Sequence, residues 1–164
     1  MKKRIVALLL ALLLALTNLC ALAEVLVDGD AAITEDLLVE YGYDYSTPDE
    51  VALYLHAFEE LPPNYVTKSE ARDYGWDSSA GNLWEVLPGC SIGGDRFGNR
   101  EGQLPKGNWY ECDVNYEGGY RNSERLLFSD DGMIYYTGDH YASFELLYEE
   151  WYYEDGCYRG ITGY

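Results

Sequence analysis

The chain has 164 residues and carries 29 Asp and Glu against 11 Lys and Arg, a formal net charge of −18 at pH 7. Its 17 Tyr and 4 Trp exclude a protein that is disordered over most of its length. Such a negative surface repels nucleic acids and anionic membranes on average, so any phosphate-binding function must depend on a local cluster of cations.

The N-terminus has the pattern of a secretory signal peptide over residues 1–23. The charged start MKKR precedes the apolar run IVALLLALLLAL, and an A-x-A cleavage site (residues 21–23) ends just before Glu24. The run is short for a membrane span, and the residues before Cys20 lack the small side chain of a lipoprotein site. We therefore discard an anchor and a lipoprotein, and predict a secreted, extracellular protein.

Cleavage would make the charge more extreme, because the signal peptide contains three cations and no anions. Eight Lys and Arg then remain against 29 Asp and Glu, a formal charge of about −21. A mature chain of roughly 140 residues is long enough for one domain with a substantial core.

Three cysteines follow the signal peptide, at positions 90, 112 and 157. Export permits a disulfide, and the odd number leaves one thiol over. The pair Cys90–Cys112 is slightly favoured, although either residue paired with Cys157 stays open. The cysteine spacings do not resemble a zinc site, and we predict neither a metal nor another cofactor.

The helices are predicted before residue 90. Residues 24–45 are acidic and aperiodic, which suggests a propeptide or a flexible arm. A Thr-Pro-Asp-Glu capping box at 47–50 then precedes apolar residues at i, i+3, i+4 and i+7, and predicts a helix over residues 48–60. A second capping box at 67–70 predicts a short helix ending near Gly75, and a third helix is predicted over 82–86.

Beyond residue 90 the pattern changes to period two with turn residues, which predicts strands. Helices followed by a run of antiparallel strands indicate an α+β fold. The predicted strands cover 91–97, 109–115, 120–128, 133–138 and 143–147.

Four segments in order resemble the barnase family of secreted bacterial ribonucleases. They are LPPNYVTKSEA, SIGGDRFGNREGQLP, YRNSERLLFS and TGDHYASF, within residues 46–147. The resemblance implies a ribonuclease domain over 46–148 and a C-terminal extension over 149–164. It also implies N-terminal helices packed on a five-stranded antiparallel sheet, and cleavage of single-stranded RNA after guanosine.

This reaction needs no metal, because the ribose 2′-OH of RNA is the nucleophile. It requires a base, an acid and cations that stabilise a charged phosphorus. The resemblance implies Glu111 as the base, His140 as the acid and Lys68 as a phosphate contact. Arg121 and Arg125 suit the phosphate because a guanidinium binds its oxygens in pairs and stays protonated.

The glycine-rich loop after residue 91 resembles the guanine-binding loop of the family. The resemblance implies that Glu101 accepts hydrogen bonds from guanine, with Gly98, Asn99 and Arg100 supplying backbone around it. Tyr141, beside the predicted acid, offers a ring for stacking on a base. Gly98 replaces the usual Ser of this loop, which predicts looser base selectivity.

The predicted partners are single-stranded RNA and, by resemblance, a barstar-like intracellular inhibitor; we predict a monomer that acts on neither DNA nor membranes. Two alternatives stay open. One is a catalytically inactive binding module of the same fold, against which the joint presence of Glu111, Arg121, Arg125 and His140 argues. The other is the same ribonuclease used as a toxin against competing cells.

Overall fold

The computed structural model describes residues 26–28, 31–33 and 37–150 of the chain. The predicted signal peptide, Cys157 and most of the predicted C-terminal extension lie outside these residues. The helices are α1 (Pro48–Phe58), α2 (Lys68–Asp73) and α3 (Leu83–Val86). The strands are β1 (Leu26–Asp28), β2 (Ala31–Ile33), β3 (Leu38–Glu40), β4 (Tyr65–Val66), β5 (Ser91–Phe97), β6 (Trp109–Asp113), β7 (Arg125–Ser129), β8 (Ile134–Thr137) and β9 (Glu145–Tyr148).

The main sheet has the strand order β4-β5-β6-β7-β8-β9, with antiparallel pairing throughout β5 to β9. The predicted α+β class is confirmed, and the sheet has one strand more than the predicted five. The additional strand, β4, pairs in parallel with the start of β5 through two residues. A strand of two residues is too short to produce a period-two pattern in the sequence.

Helix α1 covers one face of this sheet and forms the main core with it. Val51, Ala52 and Leu55 lie on the helix side, and they pack with Leu126 and Ile134 of the central strands. All five are at most 1% exposed. Burying a side chain of this size stabilises the fold by about 1.5–3 kcal/mol, so this contact fixes the sheet whose opposite face carries the polar residues described below.

Both helix starts predicted from capping boxes are present. Thr67 accepts a hydrogen bond from the Glu70 N–H, and the Glu70 carboxylate accepts one from the Thr67 N–H, which completes the box at α2. At α1, Thr47 caps the Glu50 N–H, while the Glu50 carboxylate bonds the Thr47 hydroxyl. The capping box therefore fixes the first turn of α2, which begins with Lys68.

The segment before α1 is packed rather than loosely attached over its C-terminal part. Strands β1, β2 and β3 form a separate antiparallel sheet, and Val39 in β3 is fully buried against Leu53 and Tyr54 of α1. The Tyr54 hydroxyl also accepts a hydrogen bond from the Gly42 N–H. Removal of residues 24–45 as a propeptide stays a prediction.

The slightly favoured Cys90–Cys112 disulfide is not formed, and both residues are free thiols. Cys112 is fully buried in the core and pairs across the sheet with Gly93. Because Cys90 lies three residues before Gly93, the two cysteines are separated by about 10 Å along the strand direction. A disulfide needs Cα atoms within about 7 Å.

His56 joins α1 to the end of β9. Its ring is 9% exposed and stacks on Tyr148 at a centroid distance of 4.1 Å. Its Nδ1 lies 2.8 Å from the Glu150 carbonyl oxygen, so Nδ1 carries the proton. Burial lowers the pKa of His56 to about 4, although the bond to Glu150 opposes that shift.

We expect His56 to make folding stability depend on pH between about 6.5 and about 4. The unfolded state binds a proton at His56 near pH 6.5, whereas the folded state binds it only near 4, so acid favours unfolding. The loss over this window is up to about 3 kcal/mol. It is measured by urea denaturation at pH 7 and pH 4.5.

The variant His56→Asn has no group that titrates there, so its stability should change less between the two pH values. The matched control is His140→Asn, which replaces the exposed second histidine and should keep the wild-type pH dependence. An unchanged pH dependence in His56→Asn would contradict this prediction.

None of the helices in the described part of the chain has the length and apolar character needed to cross a bilayer.

Candidate active site

Strand β6 places Glu111 and Asp113 on the face of the sheet away from α1. Their neighbour Cys112 points into the core below that helix, as the alternation along a strand requires. Both carboxylates are buried, with Glu111 7% exposed and Asp113 fully enclosed. Two buried carboxylates need partners, and these partners define the site.

Glu111 is held by one residue on each carboxylate oxygen. Lys68 Nζ donates to Oε1 at 2.5 Å, and the Tyr141 hydroxyl donates to Oε2 at 2.7 Å. Lys68 lies at the start of α2 and Tyr141 between β8 and β9. The carboxylate therefore joins the helix and the far end of the sheet.

A bulge in β5 positions Lys68. Gly94 adopts a φ of +87°, and the pairing register shifts there, so that Asp95 lies opposite Glu111. Asp95 Oδ2 then accepts a hydrogen bond from the Lys68 backbone N–H at 2.9 Å. An anion at the N-terminus of α2 is favourable, and it fixes the backbone from which the lysine side chain reaches Glu111.

The pKa of Glu111 is lowered despite its burial. Burial alone would raise it, but the hydrogen bonds from Lys68 and Tyr141 and the positive charges of Lys68 and Arg121 outweigh that effect. Burial, together with the hydrogen bond to Glu111, raises the pKa of Tyr141 to about 12. Glu111 is therefore ionised at neutral pH, as a general base must be.

Asp113 binds both predicted phosphate-contacting arginines. Arg121 Nε and Nη2 donate to its two oxygens, each at 2.6 Å. Arg125 Nε lies 2.8 Å from Oδ1, but its N–H is not aligned for a hydrogen bond, so this contact is ionic. Arg125 Nη1 instead donates to Asn122 Oδ1 and to the Glu124 carbonyl.

Arg121 lies outside any strand, which corrects the predicted strand over 120–128. Strand β7 begins at Arg125. The Asn122 side chain donates to the carbonyls of Val114 and Asn115 and so holds the 121–124 segment as a loop. Burial would lower the pKa of Arg121, but the bonds and charge of Asp113 raise it.

His140 lies in the turn between β8 and β9, as the sequence predicts. It is exposed, and it and Tyr141 have left-handed φ values of +58° and +72°. Asp139 fixes this turn by accepting hydrogen bonds from Thr137 Oγ1, Ser143 Oγ and the backbone N–H groups of residues 142 and 143. The His140 ring lies 4.9 Å from the Tyr141 ring, whose hydroxyl binds Glu111.

The predicted guanine loop lies beside that turn and encloses a cavity of about 420 Å³. The Asn99 side chain fastens the loop through bonds with Leu104 and Pro105. The ring of Phe97 stacks on that of Tyr141 at 5.2 Å. The cavity is lined by Phe97, Asn99, Glu101, Gln103, His140, Tyr141, Ala142 and Phe144.

Two of the predicted loop residues do not line this cavity. Gly98 and Arg100 belong to the same loop, and the Arg100 side chain lies close to Gly98, with its Cγ 3.5 Å from where a Cβ on Gly98 would lie. Asn99 and Glu101 do line it, together with Tyr141 and His140. The described residues hold no group of three or more His, Cys, Asp or Glu arranged to bind a metal ion.

Sequence reasoning missed the anchoring role of Asp113 and the hydroxyl contact of Tyr141. Alternation along β6 places Asp113 on the same face as Glu111, and Arg121 and Arg125 stand in the motif that follows. Scarce cations beside a buried aspartate were therefore a usable signal. The contact of Tyr141 depends on the left-handed turn at residues 140–141, for which the sequence contains no glycine signal.

Comparison with known proteins identifies the family. A family model described as ribonuclease matches residues 49–148, more than half of the chain. The chain belongs to the ribonuclease family. It is 55% identical over 102 residues to a ribonuclease of Heyndrickxia coagulans, a match that covers 60% of this chain and 94% of that protein. It is equally similar to ribonucleases of Bacillus intermedius and Bacillus pumilus, where the match covers 63% of each.

The structure of this ribonuclease brings four of the predicted site residues together, namely Lys68, Glu111, Arg121 and Arg125. Lys68 is paired with the carboxylate of Glu111, and Arg121 and Arg125 are paired with that of Asp113. In a chain of net charge −18, three of the 11 Lys and Arg are therefore collected at this one site.

Proposed function

We propose that this ribonuclease is a secreted endoribonuclease that cleaves single-stranded RNA after guanosine without a metal ion. The observation that carries the proposal is the arrangement of Glu111. It is buried, ionised and held between Lys68 and Tyr141, on the same strand as the aspartate that orients Arg121 and Arg125. A carboxylate base beside cations is the arrangement that transesterification of RNA requires.

In the proposed first step, Glu111 takes the proton of the guanosine 2′-OH. The 2′ oxygen attacks the adjacent phosphorus, and the bond from phosphorus to the 5′ oxygen of the next nucleotide breaks. Protonated His140 gives its proton to that leaving oxygen. The products are a guanosine 2′,3′-cyclic phosphate end and a free 5′-OH, and DNA is not cleaved because it lacks the 2′-OH.

In the second step water opens the cyclic phosphate, with His140 as base and Glu111 as acid. Lys68, Arg121 and Arg125 stabilise the additional negative charge on phosphorus in both steps. The two bonds of Arg121 to Asp113 use Nε and Nη2, so Nη1 is directed elsewhere and suits a phosphate oxygen. Cations fixed before the substrate arrives need little reorganisation during the reaction.

Base preference in this proposal comes from the 420 Å³ cavity. Glu101 accepts hydrogen bonds from the N1 and N2 donors of guanine, and adenine lacks the exocyclic N2 group. Phe97, stacked on Tyr141, supplies the aromatic wall. His140 and Tyr141 line the cavity, which supports the proposal that guanosine binds beside the catalytic groups.

The test is cleavage of the dinucleotides GpA, ApA and CpA in excess EDTA. We expect metal-independent cleavage with a strong preference for GpA. In Glu101→Gln we expect that preference to fall about 10- to 100-fold, because a hydrogen bond to a charged group contributes about 1.5–3 kcal/mol. The control Glu117→Gln changes an exposed carboxylate outside the cavity and should keep the preference.

The other possible outcomes of this test would support different functions. Equal cleavage of all three dinucleotides would support a ribonuclease without the guanine site around Glu101. No cleavage of any would favour the inactive binding module.

A ribonuclease of this type also requires protection of its own cell, so we propose a small acidic inhibitor that covers the cationic site, whether the enzyme serves nutrition or acts as a toxin.

A further inference from the structure

We infer that Tyr120 is a stacking platform for a base of single-stranded RNA on the 3′ side of the cleaved bond. The inference rests on the proposed function and adds a subsite to it. Tyr120 is the most exposed large hydrophobic side chain in the described part of the chain, at 71%. It directly precedes Arg121, one of the proposed phosphate contacts.

The position of Tyr120 follows from the course of β6. Trp109 pairs with Phe97 at the guanine cavity, Glu111 lies two residues further on, and Asp113 holds Arg121 two residues beyond that. RNA with guanine in the cavity and the scissile phosphate at the cations would continue toward the Arg121 end of the site. The next nucleotides on that path are those 3′ of the cleaved bond.

The loop that carries Tyr120 is closely packed, which distinguishes Tyr120 from an aromatic side chain that is exposed by chance. The Tyr116 hydroxyl donates to the Gly119 carbonyl at 2.8 Å, and Gly118 packs on Trp84, where a Cβ would approach the ring to 2.7 Å. A Cβ on Gly81 would lie 3.0 Å from the backbone of residues 119 and 120. The loop is therefore held by close packing that glycines alone permit.

The tyrosine ring itself is also fixed. Its hydroxyl donates to the Ser79 carbonyl at 3.3 Å, while most of the ring stays open to solvent. A ring that is oriented before binding loses little conformational freedom when a base stacks on it.

The charge of the surrounding sequence favours a base rather than a phosphate as the contact. Neither residues 73–95 nor residues 107–120 contain Lys or Arg, so cations are scarce beyond Arg121. Stacking on an aromatic ring needs no positive charge and accepts any base, which makes it the suitable contact here.

The test compares two substrates in wild type and Tyr120→Ala. Guanosine 2′,3′-cyclic phosphate has no nucleotide beyond the phosphate, whereas GpApApA has three. We expect Tyr120→Ala to hydrolyse the cyclic phosphate at the wild-type rate and to lose about tenfold in kcat/KM on GpApApA, within the range found for removal of one stacked base. The loss should be mainly in KM, because stacking binds ground state and transition state alike.

Two variants separate stacking from structural effects. Tyr120→Phe keeps the ring and loses the bond to Ser79, so it should cleave GpApApA nearly as wild type does. Tyr43→Ala removes a comparably exposed tyrosine, at 62%, from the segment before α1 and should change neither activity. The inference is overturned if Tyr120→Ala cleaves GpApApA normally, if it loses equally on both substrates, or if Tyr120→Phe is as impaired as Tyr120→Ala.

A binding measurement keeps the inference testable if wild type cleaves neither substrate and the proposed function fails. The 2′-deoxy oligonucleotide d(GAAA) lacks the nucleophile and reports binding alone. We expect Tyr120→Ala to raise its Kd about tenfold and Tyr43→Ala to leave it unchanged. Equal affinity of wild type and Tyr120→Ala would overturn the inference, and would favour a protein partner on this surface.

Discussion

Replacing Glu111 by Gln should reduce RNA cleavage by about 10²–10⁴-fold, the usual contribution of a positioned general base. The amide has the shape of the carboxylate but cannot accept the proton of the 2′-OH. The effect should be mainly on kcat, because the proton is transferred in the transition state. Steady-state cleavage of GpA measures it, with circular dichroism to show that the variant is folded.

The control for this variant is Glu145→Gln, which replaces an exposed carboxylate on β9. This variant makes the same change in charge at a distance from the cations, so it should retain wild-type activity. If Glu111→Gln were as active as Glu145→Gln, another group would have to act as the base.

Lys68 makes the same proposal testable through pH. Its hydrogen bond and charge help to lower the pKa of Glu111, so wild-type activity should persist below the ordinary range of a Glu and decline only as Glu111 becomes protonated. In Lys68→Ala the effect of burial on Glu111 is less opposed, so the pKa of Glu111 should rise. The acid limb of the kcat/KM profile should therefore move to higher pH. An unmoved limb in that variant would mean that a different group controls it.

The sequence predicted the fold well where a short-range pattern determines the structure. The capping boxes at residues 47 and 67 lie within single turns, and both helices begin there. Strand β5 has its predicted bounds, because Pro88 and Gly89 stand shortly before it and Gly98 directly follows it. These signals are local, and each one is complete within a few residues of sequence.

The sequence failed where the structure depends on contacts between distant segments. Strand β4 exists because two residues meet the start of β5, and the loop before β7 exists because Asn122 binds the carbonyls at the end of β6. The burial of Val39 depends on the arrival of α1 beside it. Neither periodicity nor turn residues encode such contacts.

The candidate site shows the same division. The resemblance supplied Glu111, His140 and the cations by position, and the structure brings Lys68, Arg121 and Arg125 to the two carboxylates. The resemblance could not show which cation contacts which carboxylate. Lys68 binds Glu111 directly, whereas both arginines are held by Asp113, and Arg121 acts on Glu111 through its charge.

Because Asp113 holds both arginines, its replacement should produce the second large effect, which is on stability. Asp113→Asn should destabilise the protein by about 3–5 kcal/mol, because removing one member of a buried ion pair leaves its partner uncompensated. Asp113 is fully buried, and the Arg125 side chain is only 3% exposed. A domain of this size is stable by about 5–15 kcal/mol in total, so the loss is a large fraction of its stability.

Urea denaturation at pH 7 measures this loss. The exposed Asp73→Asn at the end of α2 is the matched control and should change the free energy of unfolding by no more than about 0.5 kcal/mol. Asp113→Asn should also cleave GpA more slowly under conditions where it is folded, because Arg121 loses the paired bonds that orient it. A variant with wild-type stability would show that Arg125 finds another counter-ion, and wild-type activity would show that the arginines keep their orientation without Asp113.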